Sequence, residues 1–299
     1  MDIAVIIPIY NKAPHITRSI NSVINQSLPA SEIIVIDDGS TDNSYEMAAS
    51  LAEKNSIIKL HTQKNMGASF TRNRGVELAK SPHVAFLDAD DEWKPDYLSN
   101  IQRLYHNFPD CGAYGTSYEV IEENGIKSFP KSAGVPPAPW IGIIPNYFKM
   151  IQEGNPFYTS SIVMSKSVYN NLGGFPLGVR RGEDRMLWVL LAVKYPIAYT
   201  QSCQVMYHQE AVNRASNIFQ PETKLIQLLE TMLANDEVPM GLIEDFKDYG
   251  AYLKIRKAGK LIKSGDTNSA KTFLRASKKI KNIIENGCGG FCGQKCQYL

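Results

Sequence analysis

Over the first 118 residues, short apolar runs rich in β-branched side chains alternate with longer stretches of helical period. IAVIIPI, EIIVID, SIIKLHT and HVAFLD read as strands. Each is followed by an amphipathic stretch, at about 15–26, 43–54, 68–80 and 95–108. Strands that alternate with helices predict βαβ units and a mostly parallel sheet flanked by helices. In such sheets ligands bind beyond the carboxyl ends of the strands, near a switch in strand order. The polar residues that fall at those ends are Tyr10 and Asn11, Asp37 and Asp38, Asn65 and Gly67, and Asp88 to Asp91.

The periodicity fades between about 119 and 156, where Gly and Pro accumulate, as in SAGVPPAPWIGIIP. That composition predicts a long loop over a site, a lid or an acceptor-contacting segment. Regular pattern returns with FYTSSIVMS, the turn-rich NLGGFPLGVRRGED, a helix at about 184–194 and two short strands within about 197–207. Beyond residue 220 the chain reads as helical to about 286. The expected division is an α/β domain over 1–219 and a helical extension over 220–299.

With 299 residues, 43% of them hydrophobic, the chain can bury a substantial core. No uninterrupted apolar run reaches the roughly 18 residues of a membrane span, and MDIAVIIPIYNK lacks the basic start and cleavage site of a signal peptide. A cytoplasmic protein is expected. Cys111 and Cys203 stand alone, and Cys288, Cys292 and Cys296 share a CxxxC spacing unlike the usual metal-binding CxxC, so the final residues read as an unstructured tail, with a metal site or partner contact as the alternative. Charge changes the picture more. Residues 247–281 hold eleven Lys or Arg against two acids, a net of +9, which leaves −7 for the rest of a chain whose formal total is +2. Such a stretch suits an acidic partner, with an anionic membrane surface, an acidic glycan and the protein's own body as candidates, or it is a solvated helix face.

The chain has no GxGxxG after its first strand and no GxxxxGK[ST], which argues against Rossmann dehydrogenase and P-loop chemistry; HExxH and GxSxG are missing too. Carboxylates remain. In FLDADDEWKPD, Asp88, Asp90, Asp91 and Glu92 crowd into five positions, and close carboxylates resist shared ionisation, so a positive charge should lie nearby. Hard cations such as Mg²⁺ and Mn²⁺ prefer oxygen ligands, and a DxD just past a strand offers two same-side carboxylates. The competing account is a helix N-terminus that attracts acids. Asp37 and Asp38 in VIDDGSTDNS end a strand on the same sheet edge, where turn capping is the alternative.

The ordered series VIIPIYNK, EIIVIDDGSTD, NMGASFTRNRG, VAFLDADDEWKPD, LGGF and GEDRMLW resembles family 2 glycosyltransferases with the GT-A fold, across about residues 1–216. The resemblance implies inverting transfer of a sugar from a nucleoside diphosphate donor, a UDP-sugar first among them, with Mn²⁺ or Mg²⁺ on the pyrophosphate. It divides the α/β domain into a nucleotide-binding half, 1–118, and an acceptor-binding and catalytic half, 119–219. Carried onto this chain, Pro8, Tyr10 and Asn11 line the nucleotide pocket, Asp38 with Asp37 addresses the base, and Arg72 approaches base or pyrophosphate unless it pairs with an acid. Asp88 lies near ribose or metal, and Asp90 is the main metal ligand. Asp91 and Glu92 serve the turn and following helix, and His208 is a candidate third metal ligand, with Arg214 and Ser216 in the end motif. In RRGEDRMLW, Asp184 is the matched general base with Glu183 beside it, and both also suit a helix N-terminus. The chain lacks the QxxRW motif and membrane spans of processive synthases, so a single addition is expected, onto a growing surface glycan or a lipid-linked acceptor, with the basic stretch 247–281 near an anionic membrane and no role for nucleic acid. A sugar nucleotidyltransferase is disfavoured because PIYNKAPHITR replaces a glycine-rich basic signature, and the pairing of Asp90 with Asp184 disfavours a non-catalytic binding module.

Overall fold

The structure, a computed structural model, describes residues 1–130, 134–179, 181–210 and 223–275. Its strands are β1 (Ile3–Ile9), β2 (Glu32–Asp37), β3 (Ile58–Thr62), β4 (His83–Phe86), β5 (Glu92–Trp93), β6 (Ala113–Ile121), β7 (Lys127–Ser128), β8 (Ile141–Ile143), β9 (Ile162–Ser165) and β10 (Ile197–His208). The helices are α1 (Ala13–Ile24), α2 (Ser44–Lys54), α3 (Ala68–Leu78), α4 (Tyr97–Asn107), α5 (Tyr147–Glu153), α6 (Lys166–Asn171), α7 (Glu183–Lys194), α8 (Thr223–Ala234), α9 (Ile243–Lys263) and α10 (Thr267–Arg275). One sheet runs in the order β3-β2-β1-β4-β9-β6-β10-β5, with β7 beside β6 and β8 beside β10.

The pairing is parallel from β3 through β4. Strand β9 lies antiparallel between β4 and β6, and β10 runs parallel to β6, so six strands share one direction. The chain winds from β1 outward to β3 and then crosses back to β4 on the other side of β1, which opens a switch point between the carboxyl ends of β1 and β4. Their register stops at Ile6 opposite Phe86. Pro8 lies beyond that last pair, where its missing N–H leaves no β4 ladder bond unmade. Ile3, Val5, Ile7 and Ile9, with Ala4 and Ile6 on the other face, are all 2% exposed or less, which is why the run is continuously apolar rather than alternating. Helix α1 covers the sheet with Ile16, Ile20 and Val23, and α4 with Leu98, Ile101 and Leu104. Helix α3 comes so close that a Cβ on Gly75 would meet Ile6 Cγ2 at 2.4 Å.

Two expectations are corrected. The stretch 119–156 is no plain loop: it continues β6 to Ile121 and includes β7, β8 and α5. The two short strands at 197–207 are one strand, β10, whose register against β6 shifts between Thr200 and Val205. Such bulges break the alternation that marks an uninterrupted strand. The chain separates into two compact units, Met1–Phe219 and Gln220–Leu299. In the second, α9 packs with α8 and α10, and Lys254 pairs with Glu230 at 2.7 Å. Arg214, Ser216, Cys288, Cys292 and Cys296 lie outside the described residues. No helix among the described residues is long and apolar enough to cross a membrane.

Candidate active site

The strand ends place charged side chains from four segments around the switch point. Just past β1, Tyr10 is 43% exposed and Asn11 takes a left-handed φ of 52°, a conformation Asn tolerates when its side chain bonds locally. Here Asn11 Oδ1 accepts from the Thr41 N–H at 2.8 Å, and the Asn11 N–H donates to Ser40 Oγ at 3.0 Å, which ties the β1 and β2 turns together. The next residue, Lys12, sends its Nζ to Asp90 Oδ2 at 2.7 Å, with both side chains 13% exposed. Arg18 of α1 donates to the Asp90 carbonyl at 3.0 Å.

Past β2, Asp37 and Asp38 are each 3% exposed and differ in use. Asp38 is consumed by the β3–α3 loop: it accepts from Gln63 Nε2 at 2.7 Å and from the Met66 and Gly67 N–H groups at 2.8 Å. Asp37 accepts from the Ser40 N–H at 3.2 Å through Oδ2, while its Oδ1 is buried with no hydrogen-bond partner.

Arg72 on α3 joins two segments. Its Nη2 reaches Asp88 Oδ1 at 2.6 Å and its Nη1 reaches Glu183 Oε1 at 3.1 Å, while the guanidinium lies 5.1 Å from the Phe175 ring centroid. The side chain is 6% exposed, and the surrounding acids outweigh burial, raising its pKa further above an already basic value. Arg72 thus makes the ion pair that was the alternative to a donor contact. Glu183 opens α7, after Gly182 in a left-handed turn of φ 81°. Burial raises the Glu183 carboxyl, its neighbour Asp184 raises it further, and Arg72 opposes both. Asp184 Oδ1 accepts from the Arg185 N–H at 2.7 Å. Both acids lie in the first turn of α7, where the helix dipole favours negative charge, so helix placement and chemistry are compatible.

The acid run divides. Asp88 faces Arg72, Asp90 faces Lys12, and the positive charges that four crowded carboxylates require come from the protein's own Lys12, Arg18 and Arg72. Asp91 and Glu92 do not serve the helix that follows, because β5 intervenes and Asp96 occupies the N-cap of α4. Asp91 is fully buried, and that burial, with Asp90 and Asp88 beside it, pushes its carboxyl well above the usual range. Glu92 instead takes His208 Nε2 at 3.3 Å and Arg18 Nε at 3.8 Å. His208 also lies 4.0 Å from Glu210. Burial lowers the imidazole pKa, and Arg18 lowers it further. The structure gathers Asp88, Glu183 and Asp184 around Arg72, sets Asp90 of the same acid loop on Lys12, and places His208 with Glu92, Glu210 and Arg18, which also reaches the Asp90 carbonyl. Among the described residues no group of three or more His, Cys, Asp or Glu is poised to hold a metal ion by itself. Sequence reasoning missed Lys12 and Arg18; the signal present was a cation one residue past Asn11 and another one helical turn into α1.

The comparisons with known proteins follow the same outline. The model for Glycosyl transferase family 2 matches residues 4–173, and the chain belongs to that family. An uncharacterized glycosyltransferase of Haemophilus influenzae is 30% identical over 221 residues, covering 73% of this chain and 83% of that protein. YibD of Escherichia coli, an uncharacterized glycosyltransferase, is 50% identical over 102 residues, 34% of this chain and 30% of YibD. A Rickettsia conorii relative is 33% identical over 65% of this chain, and the match spans only 31% of its length. Among solved structures, S. aureus TarS residues 1–349 in complex with UDP-GlcNAc superposes with a TM-score of 0.65 at 14% identity, covering 96% of this chain and 92% of that one. The mannosyltransferase PcManGT of Pyrobaculum calidifontis, in complex with GDP-Man and Mn2+, gives 0.61 at 19% identity over 95% of this chain and 79% of its own. These two share the GT-A fold with the chain.

Proposed function

We propose that the protein transfers a single sugar, with inversion, from a nucleoside diphosphate sugar to a hydroxyl of a glycan or lipid-linked acceptor. The carrying observation is the Asp88–Arg72–Glu183 chain, which joins the donor-side acid loop to the first turn of α7 at the switch point of the sheet. TarS with UDP-GlcNAc favours a UDP-sugar as the first donor to test, and PcManGT with GDP-Man keeps the base open. TuaG of Bacillus subtilis, a putative teichuronic acid biosynthesis glycosyltransferase 34% identical over 124 residues, favours a surface polysaccharide acceptor.

In this reading Pro8, Tyr10 and Asn11 wall the nucleotide pocket, and Asp37, with its unpartnered oxygen, faces the base more readily than Asp38. The fit to a divalent cation is that of Mg²⁺ and Mn²⁺ sites, which take one or two carboxylates and complete their shell with substrate phosphate. Asp90 supplies such a carboxylate, with Asp88 two positions before it, and His208 is the third candidate only if it leaves Glu92. When bound, the ion offsets negative charge on the departing diphosphate. Lys12, already on Asp90, would contribute a second positive group to the same diphosphate. Asp184 takes the proton of the attacking hydroxyl, and Glu183, fixed by Arg72, holds the turn that carries it. The test is thermal stabilisation by UDP-sugars and GDP-sugars with and without Mn²⁺, since a ligand bound at a hundred times its Kd adds about 2.7 kcal/mol. A metal-dependent rise in Tm, reduced in Asp90→Ala, supports the assignment. Equal stabilisation of both proteins would overturn the role of Asp90.

A further inference from the structure

The acid loop is held from behind by a residue of the other half of the domain. The segment FYTSS enters β9 through a 3₁₀ turn at Thr159–Ser161, and that turn closes on itself: the Tyr158 N–H donates to Ser161 Oγ at 2.9 Å, and the Ser161 N–H donates to the Tyr158 carbonyl at 2.9 Å. Tyr158 packs between Tyr118 and Tyr207, with centroids 4.6 and 5.2 Å away, which fixes the turn against β6 and β10. Ser160 has no part in closing the turn and is free to face the acids.

Ser160 is 0% exposed and uses its hydroxyl in both directions. Its Oγ donates to Asp91 Oδ2 at 2.6 Å and accepts from the Asp88 N–H at 3.1 Å, while its carbonyl accepts from the Trp93 indole at 2.7 Å. The loop closes a turn of its own, from the Asp91 N–H to the Asp88 carbonyl at 2.9 Å. Three bonds from one residue therefore bracket Asp90 on both sides, at 88 and at 91 and 93. Asp90 is the residue left to point forward, at Lys12.

We propose that Ser160 is a positioning residue for Asp90, setting the direction of the carboxylate that would hold the donor's divalent cation. It touches no reacting atom. Without its hydroxyl the Asp88 N–H and the Asp91 carboxylate lose their shared partner, and a buried polar group left unmade favours rearrangement of whatever can move. Trp93 and the sheet are fixed by packing, so the loop moves. The inference rests on the proposed role of Asp90, and the test separates the two.

Ser160→Ala, Asp90→Ala and the unmodified chain are compared by steady-state transfer or donor hydrolysis across Mn²⁺ and donor concentration, alongside thermal melts. Ser160→Ala is expected to raise the Mn²⁺ requirement and donor KM about tenfold or more, the size of a lost hydrogen bond to a charged group, with saturating kcat nearly unchanged. Combined with Asp91→Ala it should add little beyond either single change, because both remove the same clamp. If Ser160→Ala does not fold, Ser160→Cys keeps the shape with a weaker donor and should show the same shift in smaller measure. A normal Mn²⁺ requirement and donor KM in a folded Ser160 variant, with Asp90→Ala impaired, overturns the positioning role and leaves the site intact. An Asp90→Ala protein with normal metal and donor dependence defeats the site assignment and this inference with it.

Discussion

A general base is defined by its charge rather than its size, which makes Asp184→Asn the most informative single substitution in the proposed site. The amide keeps the shape and still accepts from the Arg185 N–H, but it cannot take a proton. Turnover is expected to fall by about 10² to 10⁴, with donor-induced thermal stabilisation retained; transfer at near-normal rate by the Asn variant would exclude the role. Glu183 has a separate dependence. Its carboxyl is raised by burial and by Asp184 and is held down by Arg72, so Arg72→Met raises it further. Since the acid form of Glu183 then persists to higher pH beside the proposed base, the acid limb of the pH–rate profile should move to higher pH. A limb that stays in place would mean that Arg72 does not govern the acids. The positions of Asp90 past a strand and of Glu183 and Asp184 at a helix start were legible in local pattern, while the roles proposed for them come from the family resemblance. An acid partner for Arg72 was anticipated, but which residues meet was not legible, since Lys12 reaches Asp90 across 78 positions and Arg72 reaches Glu183 across 111. Only the order of strands in the sheet brings those residues together, and no local period encodes it.

At the scale of elements, the position of Arg72 depends on how closely α3 lies on β1. Gly75 sits one turn further along α3, facing Ile6, and Gly75→Ala places two opposing effects on one atom. Alanine gains up to about 1 kcal/mol in helix propensity, while a methyl group 2.4 Å from the branched Cγ2 of Ile6 forces a shift that costs about 1–3 kcal/mol in a packed core. The clash should win, lowering the Tm; an unchanged or raised melting temperature would show that the helix can lift at no cost. The same close packing explains which elements the sequence disclosed. Strands β1 and β2 and helices α1 and α4 announce themselves by continuous apolar runs or a helical stripe, because they are buried in the regular way. The segment 119–156 has the local pattern of a loop because β7 has two residues and β8 three, too short to establish alternation, and its Pro and Gly lie between those pieces.

At the scale of the whole molecule, the excess of positive charge in 247–281 bears on where the enzyme would meet a lipid-linked acceptor. Arg256, Lys260 and Lys263 follow one another at i, i+4 and i+7 along the last turns of α9, a spacing that puts them on one helical face. Cations near a helix C-terminus also offset its dipole, so the stripe has an internal use, and a membrane role must show itself as binding. Each basic residue near an anionic surface contributes about 1 kcal/mol, so reversing all three in the full chain, as Arg256→Glu, Lys260→Glu and Lys263→Glu, should reduce partition onto phosphatidylglycerol vesicles by about a hundredfold or more. Raising the salt toward 1 M, where the Debye length is about 3 Å, should release the unmodified protein as well. Neutral phosphatidylcholine vesicles should retain neither protein. Donor-induced stabilisation should survive the triple change, because none of the three residues belongs to the proposed site. If the reversed protein partitions like the unmodified one, the stripe serves the helix alone and the acceptor is reached without it.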